Sequence, residues 1–212
     1  PNRDPQRARE NNITGDGKIL LEMSGRKEIA ASASEAEIFE ALLRLTNPEE
    51  RAVYFLVGHG ERDSLEYNQE TGSMTRAREI LESKNYTVST LNLPAENKIP
   101  EDADLIIIAG PVQPITENEQ KLLRAYLAGG GSLLVMEDPL IATDFGDQAD
   151  PLAELLLEDW GISINNDIVI DLDSPDPTIG TAADYPGPHA ITRKMNNIIT
   201  YFPLTRSLTI AS

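Results

Sequence analysis

The chain has 212 residues, no Cys, and 18 Lys plus Arg against 35 Asp plus Glu, for a formal net charge of −17. Its length and its 40% hydrophobic content predict a core built without disulfides or a structural metal. The lack of Cys excludes thiolate nucleophiles, thiolate metal sites and iron–sulfur clusters. The acidic balance excludes nucleic acid as an expected partner, because phosphates would be repelled. The longest apolar stretch, Leu105 to Val112, is much shorter than the roughly 20 residues that span a bilayer.

The first 50 residues predict a tether, a hairpin and a helix. Residues 1–14 are polar and patternless, and the absence of an initiator Met indicates a trimmed fragment. The apolar runs 18–23 and 27–31 flank the turn 24–26, which predicts a hairpin. After Ser34, apolar residues recur at helical spacing and predict an amphipathic helix. We assign residues 15–50 to a hairpin and helix packed on the main domain.

From residue 51 onward, strand patterns alternate with helix patterns. Apolar runs predict strands over 52–58, 86–93, 104–111 and 132–138, with 132–138 expected to be buried. Capping residues predict helices near 73–84, from Thr116 to Gly129 and from Asp150 to Gly161, with Trp160 expected in the core. This alternation predicts a three-layer α/β domain with a mainly parallel sheet over residues 51–172. Residues 173–212 are loop-rich and are interpreted as an irregular C-terminal segment or, alternatively, as the start of a further lobe.

Ligands of such sheets bind beyond the carboxyl ends of the strands, near the point where the strand order reverses. The loops at these ends are 58–61, 110–111 and 137–139. The other histidine of the chain lies in a separate Pro- and Gly-rich loop. The candidate ligand-binding residues are therefore His59, Gly60, Glu61, Gly110, Pro111, Asp138 and His189.

Three interpretations of His59 stay open at this stage. It could shape its turn by hydrogen-bonding a neighbouring loop, form an acid/base pair with Glu61 or Asp138, or bind a ligand. A metal site of mixed nitrogen and oxygen ligands would need His59, Glu61, Asp138 and His189 together, and nothing in their spacing requires it. We predict no metal and no cofactor. The chain also lacks the GxxxxGK[ST], GxSxG and HExxH patterns.

Several motifs in order resemble one known family. The run 53–61 carries the signature GHGE, and further matches are LNLP (91–94), DADLIIIAGP (102–111), LLVMEDP (133–139), NNDIVID (165–171) and HAIT (189–192). Over about residues 15–210, the chain resembles the auxiliary domain of uncharacterised ABC-type transport systems, related to the GldG proteins of gliding motility. Related domains occur in an intraflagellar-transport subunit, for which sugar binding has been proposed by analogy of fold.

This resemblance implies a flavodoxin-like or class I glutamine-amidotransferase-like domain. It implies an extracytoplasmic location, tethered by membrane anchors that are absent from this fragment, and an ABC permease and ATPase as partners. The amidotransferase nucleophile is a Cys, which this chain lacks.

We therefore predict a non-enzymatic accessory domain that binds partner proteins or an envelope component. On this hypothesis, His59→Ala leaves folding intact. The alternative is a module that binds a small polar ligand, such as a saccharide, in the crevice at the carboxyl ends of the strands.

Overall fold

The N-terminal part of the chain forms two helices and a hairpin. The computed structural model describes residues 5–11, 13, 15–46, 51–67, 72–185, 189, 191–192, 195 and 198–210. The elements here are α1 (Pro5–Glu10), β1 (Ile19–Met23), β2 (Arg26–Ala30) and α2 (Glu35–Thr46). The predicted hairpin is confirmed, with Met23 paired to Arg26 across a two-residue turn. Both turn residues, Ser24 and Gly25, have positive φ, as a two-residue hairpin turn requires.

Strands and helices then alternate along the chain, as the sequence predicts. The elements are β3 (Arg51–Val57), α3 (Thr75–Ser83), β4 (Tyr86–Asn92), α4 (Leu93–Glu96), β5 (Ala103–Ala109), α5 (Glu117–Ala128), β6 (Ser132–Met136), a 3-10 turn (Leu140–Ala142) and α6 (Pro151–Trp160). The helix caps follow the predicted chemistry. Thr116 and Glu119 form a reciprocal capping box on α5, and Asp150 accepts the Ala153 N–H to cap α6.

The four strands from β3 to β6 form one parallel sheet with the order β4-β3-β5-β6. The sheet and its helices fit the predicted three-layer α/β class. Its two inner strands supply much of the core. Four of the seven residues of β3 and four of the seven residues of β5 are buried, and Val53, Ile106 and Ile108 are fully so. The carboxyl ends of β3 and β5 therefore lie side by side.

The edge of the sheet differs from the prediction. Strand β6 pairs with β5 alone in the sheet, and Leu134 is 46% exposed rather than buried. The prediction that Trp160 lies in the core is also wrong, because this residue is 59% exposed at the end of α6. An apolar run has the same appearance in a central strand and in an edge strand, so its sequence does not separate the two.

The C-terminal region forms two small antiparallel pairs. Strand β7 (Ile162–Ile164) pairs with β10 (Leu208–Ile210), and β8 (Ile179–Ala182) pairs with β9 (Thr200–Pro203). The predicted loop around the second histidine falls partly outside the described residues, at positions 186–188 and 190.

Two compact units can be separated. The described residues within Pro1–Tyr54, Asp63–Ser89 and Glu101–Asp104 form the first, and those within Phe55–Arg62, Thr90–Pro100 and Leu105–Ser212 form the second. All of the candidate site residues belong to the second unit. In the part of the chain that the structure describes, none of the helices has the length and apolarity needed to cross a bilayer.

Candidate functional site

The loop after β3 turns sharply on two glycines. Gly58 has φ +124° and Gly60 has φ +79°, a region that only glycine adopts easily. A Cβ on Gly60 would lie 3.0 Å from Cβ of Val112, which follows β5. The loop after β3 therefore packs closely against the loop after β5.

The side chain of His59 is buried between two carboxylates. Its Nδ1 lies 3.0 Å from Oε1 of Glu61, and its Nε2 lies 3.1 Å from Oε2 of Glu119. The three side chains are between 1% and 6% exposed. Because each ring nitrogen faces a carboxylate oxygen, the arrangement fits an imidazolium that donates two hydrogen bonds. We call this trio the His59 clamp.

The charges within the clamp favour its ionised form. Burial opposes the charge on the imidazole, but the hydrogen bond that the ring donates to Glu61 and the charges of Glu119 and Glu61 outweigh it and raise the pKa of His59 above 6.5. Burial likewise opposes the charge on Glu61. The hydrogen bonds from the ring and the backbone N–H of His59 outweigh that effect and lower the pKa of Glu61 below 4.5.

Glu119 is held in place by the first turn of α5. Its Oε2 accepts the backbone N–H of Thr116 at 2.9 Å and the Thr116 hydroxyl at 2.8 Å, as well as facing His59. The same carboxylate therefore caps a helix and contacts the imidazole. Its second oxygen, Oε1, is buried and has no hydrogen-bond partner among the described residues.

Backbone hydrogen bonds complete the connection between the two loops. The carbonyl of His59 accepts the N–H groups of Val112 and Gln113, both at 2.8 Å. Oε2 of Glu61 accepts the N–H of His59 at 2.8 Å. Since both ring nitrogens and the backbone of His59 are engaged within the protein, His59 has a clear role in shaping this turn.

A second cluster lies beside Gly110. Arg62 donates from its NH2 group to Oδ2 of Asp138 at 2.8 Å, and these side chains are 35% and 31% exposed. Gly110 has φ +64°, and a Cβ there would lie 2.4 Å from NH1 of Arg62. Glycine thus leaves room for the guanidinium to reach Asp138, while Pro111 is buried.

Glu137 precedes Asp138 and is buried with Arg206. Oε2 of Glu137 lies 3.4 Å from NH1 of Arg206, and their side chains are 3% and 5% exposed. Burial and then the neighbouring carboxylate of Asp150 raise the pKa of Glu137 to about 8, against the opposing charge of Arg206. Glu137 therefore takes up a proton at a higher pH than an exposed carboxyl group would, although Arg206 opposes this effect.

The candidate residues thus fall into separate places. His59, Gly60 and Glu61 belong to the clamp, Gly110 and Asp138 to the Arg62 cluster, and His189 is exposed, with Nδ1 accepting the N–H of Ile191 at 3.2 Å. Within the described ranges, no three His, Asp or Glu side chains are grouped to hold a metal ion.

Sequence reasoning missed three participants: Glu119, Arg62 and Arg206. One signal was available for Glu119, because this Glu lies four residues before buried Leu123 on the inner face of α5. A carboxylate on an apolar face needs a cation or several donors. Nothing in the sequence links Arg62 to Asp138 or Arg206 to Glu137, since 76 and 69 residues separate these pairs.

Removal of the imidazole tests the clamp. His59→Ala leaves two buried carboxylates without their shared cation, so we expect the free energy of unfolding to fall by about 3–5 kcal/mol at pH 7. The exposed His189 supplies the control, and His189→Ala should stay within about 0.5 kcal/mol of wild type. Urea unfolding followed by circular dichroism measures both. Equal, small effects of the two substitutions would contradict the clamp and restore the expectation that His59→Ala leaves folding intact.

The raised pKa of Glu137 makes a prediction for pH. Its stabilising contribution is fully present below its ordinary pKa of 4.5 and is lost as the pH rises through its folded value of about 8. Glu137→Gln should therefore flatten the fall in the free energy of unfolding between pH 5 and 8, by about 1.4 kcal/mol for each unit of pKa shift. The exposed Glu101→Gln is the control and should keep the wild-type slope. If the free energy of unfolding falls with pH at the same rate in the wild type and both variants, the raised pKa of Glu137 is ruled out.

Comparison with known proteins gives a family and a fold. A solved structure described as the mmIFT52 N-terminal domain is similar at 23% identity, with a TM-score of 0.57, over 76% of this chain and 68% of that one. At this level of identity, the similarity concerns the fold.

No protein of curated function is similar enough to count as a relative. Residues 50–209 match the family described as ABC-type uncharacterized transport system, which covers most of the chain and agrees with the resemblance seen in its motifs. The chain therefore belongs to this family of auxiliary proteins of ABC-type transport systems.

Proposed function

We propose that this accessory domain acts by binding and not by catalysis, on the extracytoplasmic side of the membrane. The family indicates an accessory role in an ABC-type transport system and suggests a non-enzymatic one. Membrane anchors outside this sequence would hold the domain beside an ABC permease and its ATPase. A GldG-like role related to gliding motility, with binding of an envelope component, extends the same proposal.

The observation that carries this proposal is the engagement of His59. A general base needs a nitrogen lone pair within reach of a substrate proton. Both ring nitrogens of His59 instead face buried carboxylates, and the ring is 6% exposed. The clamp lies beyond the adjacent ends of β3 and β5, which is where the strand order reverses and where ligands of such sheets usually bind.

The proposed fold subclass is flavodoxin-like. The order β4-β3-β5-β6 corresponds to the order 2-1-3-4 that begins flavodoxin-like sheets. The alternative subclass is glutamine-amidotransferase-like. A domain of that subclass would keep the fold but could not catalyse the amidotransferase reaction, because the chain has no Cys nucleophile.

Affinity purification of the full-length, membrane-anchored protein from mild detergent tests the partner assignment. We expect mass spectrometry to recover an ABC ATPase and permease, and expect a matched protein that lacks residues 15–210 to recover much less of both. Recovery of neither component, or equal recovery without the domain, would contradict the proposal.

The placement can be tested in the same cells because this chain has no Cys. A membrane-impermeant maleimide should label the exposed variant Lys98→Cys before lysis, with the unsubstituted protein as the control. Labelling that occurs only after lysis would place the domain inside.

A second candidate function is the binding of a small polar ligand, such as a saccharide. The Arg62–Asp138 pair favours it, because these charged side chains are about one-third exposed beside a glycine-lined turn. The walls of the crevice would then be supported by His59, Gly60, Glu61 and Pro111. His189 would contact the ligand only from outside the crevice.

Calorimetry with a panel of sugars and glycan fragments tests this candidate. A binding sugar should lose at least tenfold in affinity with Asp138→Asn, while the exposed control Asp147→Asn should bind as wild type does. The absence of heat with every sugar counts against it.

A further inference from the structure

A groove of about 930 Å³ runs along the edge strand β6. We call it the β6 groove. One wall is formed by β6 and the residues that follow it, and the other by the end of α6, by β7 and by residues 201–206 and 208. Representative apolar lining residues are Leu133, Val135, Trp160, Ile164, Phe202 and Leu208. All lining residues belong to the second compact unit.

Strand β6 carries none of the features that usually protect a sheet edge. Its sequence, SLLVM, contains no Lys, Arg or Pro, and within the described residues its only strand partner is β5. Edge strands of stable proteins usually carry a charge, a proline or a bulge, because their free N–H and C=O groups pair readily with another chain. An apolar edge strand beside an apolar groove is therefore suited to receive another strand.

The backbone of β6 favours an extended peptide over a lipid tail. A hydrocarbon chain in the groove would cover the free edge without offering hydrogen-bond partners, and buried unpaired backbone groups are costly. An added strand satisfies these groups and places alternate side chains against the apolar walls. Five residues of β6 span roughly 16 Å, enough for a segment of about five residues.

Charge indicates the composition of that segment. From Ala125 to Thr192, which includes β6, α6 and β7, the sequence has 13 acidic residues and no Lys or Arg. The two cations that line the groove, Arg62 and Arg206, are each paired with a carboxylate, that of Asp138 and of Glu137 respectively. Arg124, just before this range, pairs with Glu158 and Asp159 of α6. The net charge of −17 on the chain as a whole, and not a single lining carboxylate, therefore favours a segment that carries positive charge.

We propose that the β6 groove binds an extended segment of a partner protein, in which apolar residues alternate with Lys or Arg, by addition of a strand to the edge of the sheet. The inference rests on the proposed binding role of the domain. It does not depend on whether the partner is the permease, the ATPase or an envelope component.

The test uses the isolated 212-residue chain and a phage library of random twelve-residue peptides. We expect enriched peptides with alternating apolar residues, an excess of Lys and Arg, and no central Pro. Synthetic versions should change the fluorescence of Trp160, the only Trp of the chain, which lines the groove. They should also slow hydrogen exchange of the β6 amides, which contact through side chains alone would not do.

Two matched pairs of variants locate the binding. Val135→Lys places a charge in the groove, whereas Leu134, the next residue of β6, does not line it, and Leu134→Lys is the control. Leu208 lines the groove and is 67% exposed, so Leu208→Lys should fold normally, with Ile210→Lys (83% exposed and outside the lining) as its control. We expect both groove variants to weaken binding at least tenfold and both controls to weaken it less than threefold.

Several results would overturn the proposal. The first is a library that yields no enriched peptides, or only acidic or helical ones. The second is a rate of hydrogen exchange at the β6 amides that the peptide does not change. The third is a peptide affinity that Leu208→Lys does not lower. Binding of dodecanoate in place of any peptide would assign the groove to an amphiphile instead. Because this test uses only the purified domain, it can fail while the ABC components are still recovered, and it can succeed when they are not.

Discussion

The buried imidazole of His59, held as a cation between two carboxylates, joins the ends of the two inner strands. It bridges Glu61, in its own loop, and Glu119, at the start of α5. Removal of either carboxylate would leave an unbalanced buried charge, so the three groups are stable only as a set. The turn at Gly60 and the capping of α5 both depend on the same set, because Glu119 also receives the two hydrogen bonds of Thr116.

This arrangement changes how the GHGE motif is understood. Titratable residues between glycines at the end of a strand suggest a reactive site, yet here they shape the protein itself. The more accessible polar groups are Arg62 and Asp138, one step further along the sheet edge. The apolar β6 groove lies along the edge strand of the same sheet. The functional proposals for this domain therefore rest on its interaction surfaces and not on the imidazole of His59.

The sequence predicts what is determined locally. The hairpin turn at Ser24 and Gly25, the caps at Thr116 and Asp150, and the alternation of strands and helices all depend on neighbouring residues, and the structure contains them. The pairing of Arg206 with Glu137 joins residues far apart in the chain and left no local signal. The exposure of β6 depends on strand order, which apolar content alone does not encode.

Nuclear magnetic resonance of the histidine rings tests the central claim most directly. With His189→Ala used to assign the two rings, His59 should carry protons on both nitrogens at pH 7 and should titrate above pH 6.5, in line with the direction of its pKa shift. His189, which is exposed, serves as the internal reference in the wild-type protein. A His59 ring that is neutral at pH 7, with one nitrogen free of a proton, would contradict the clamp.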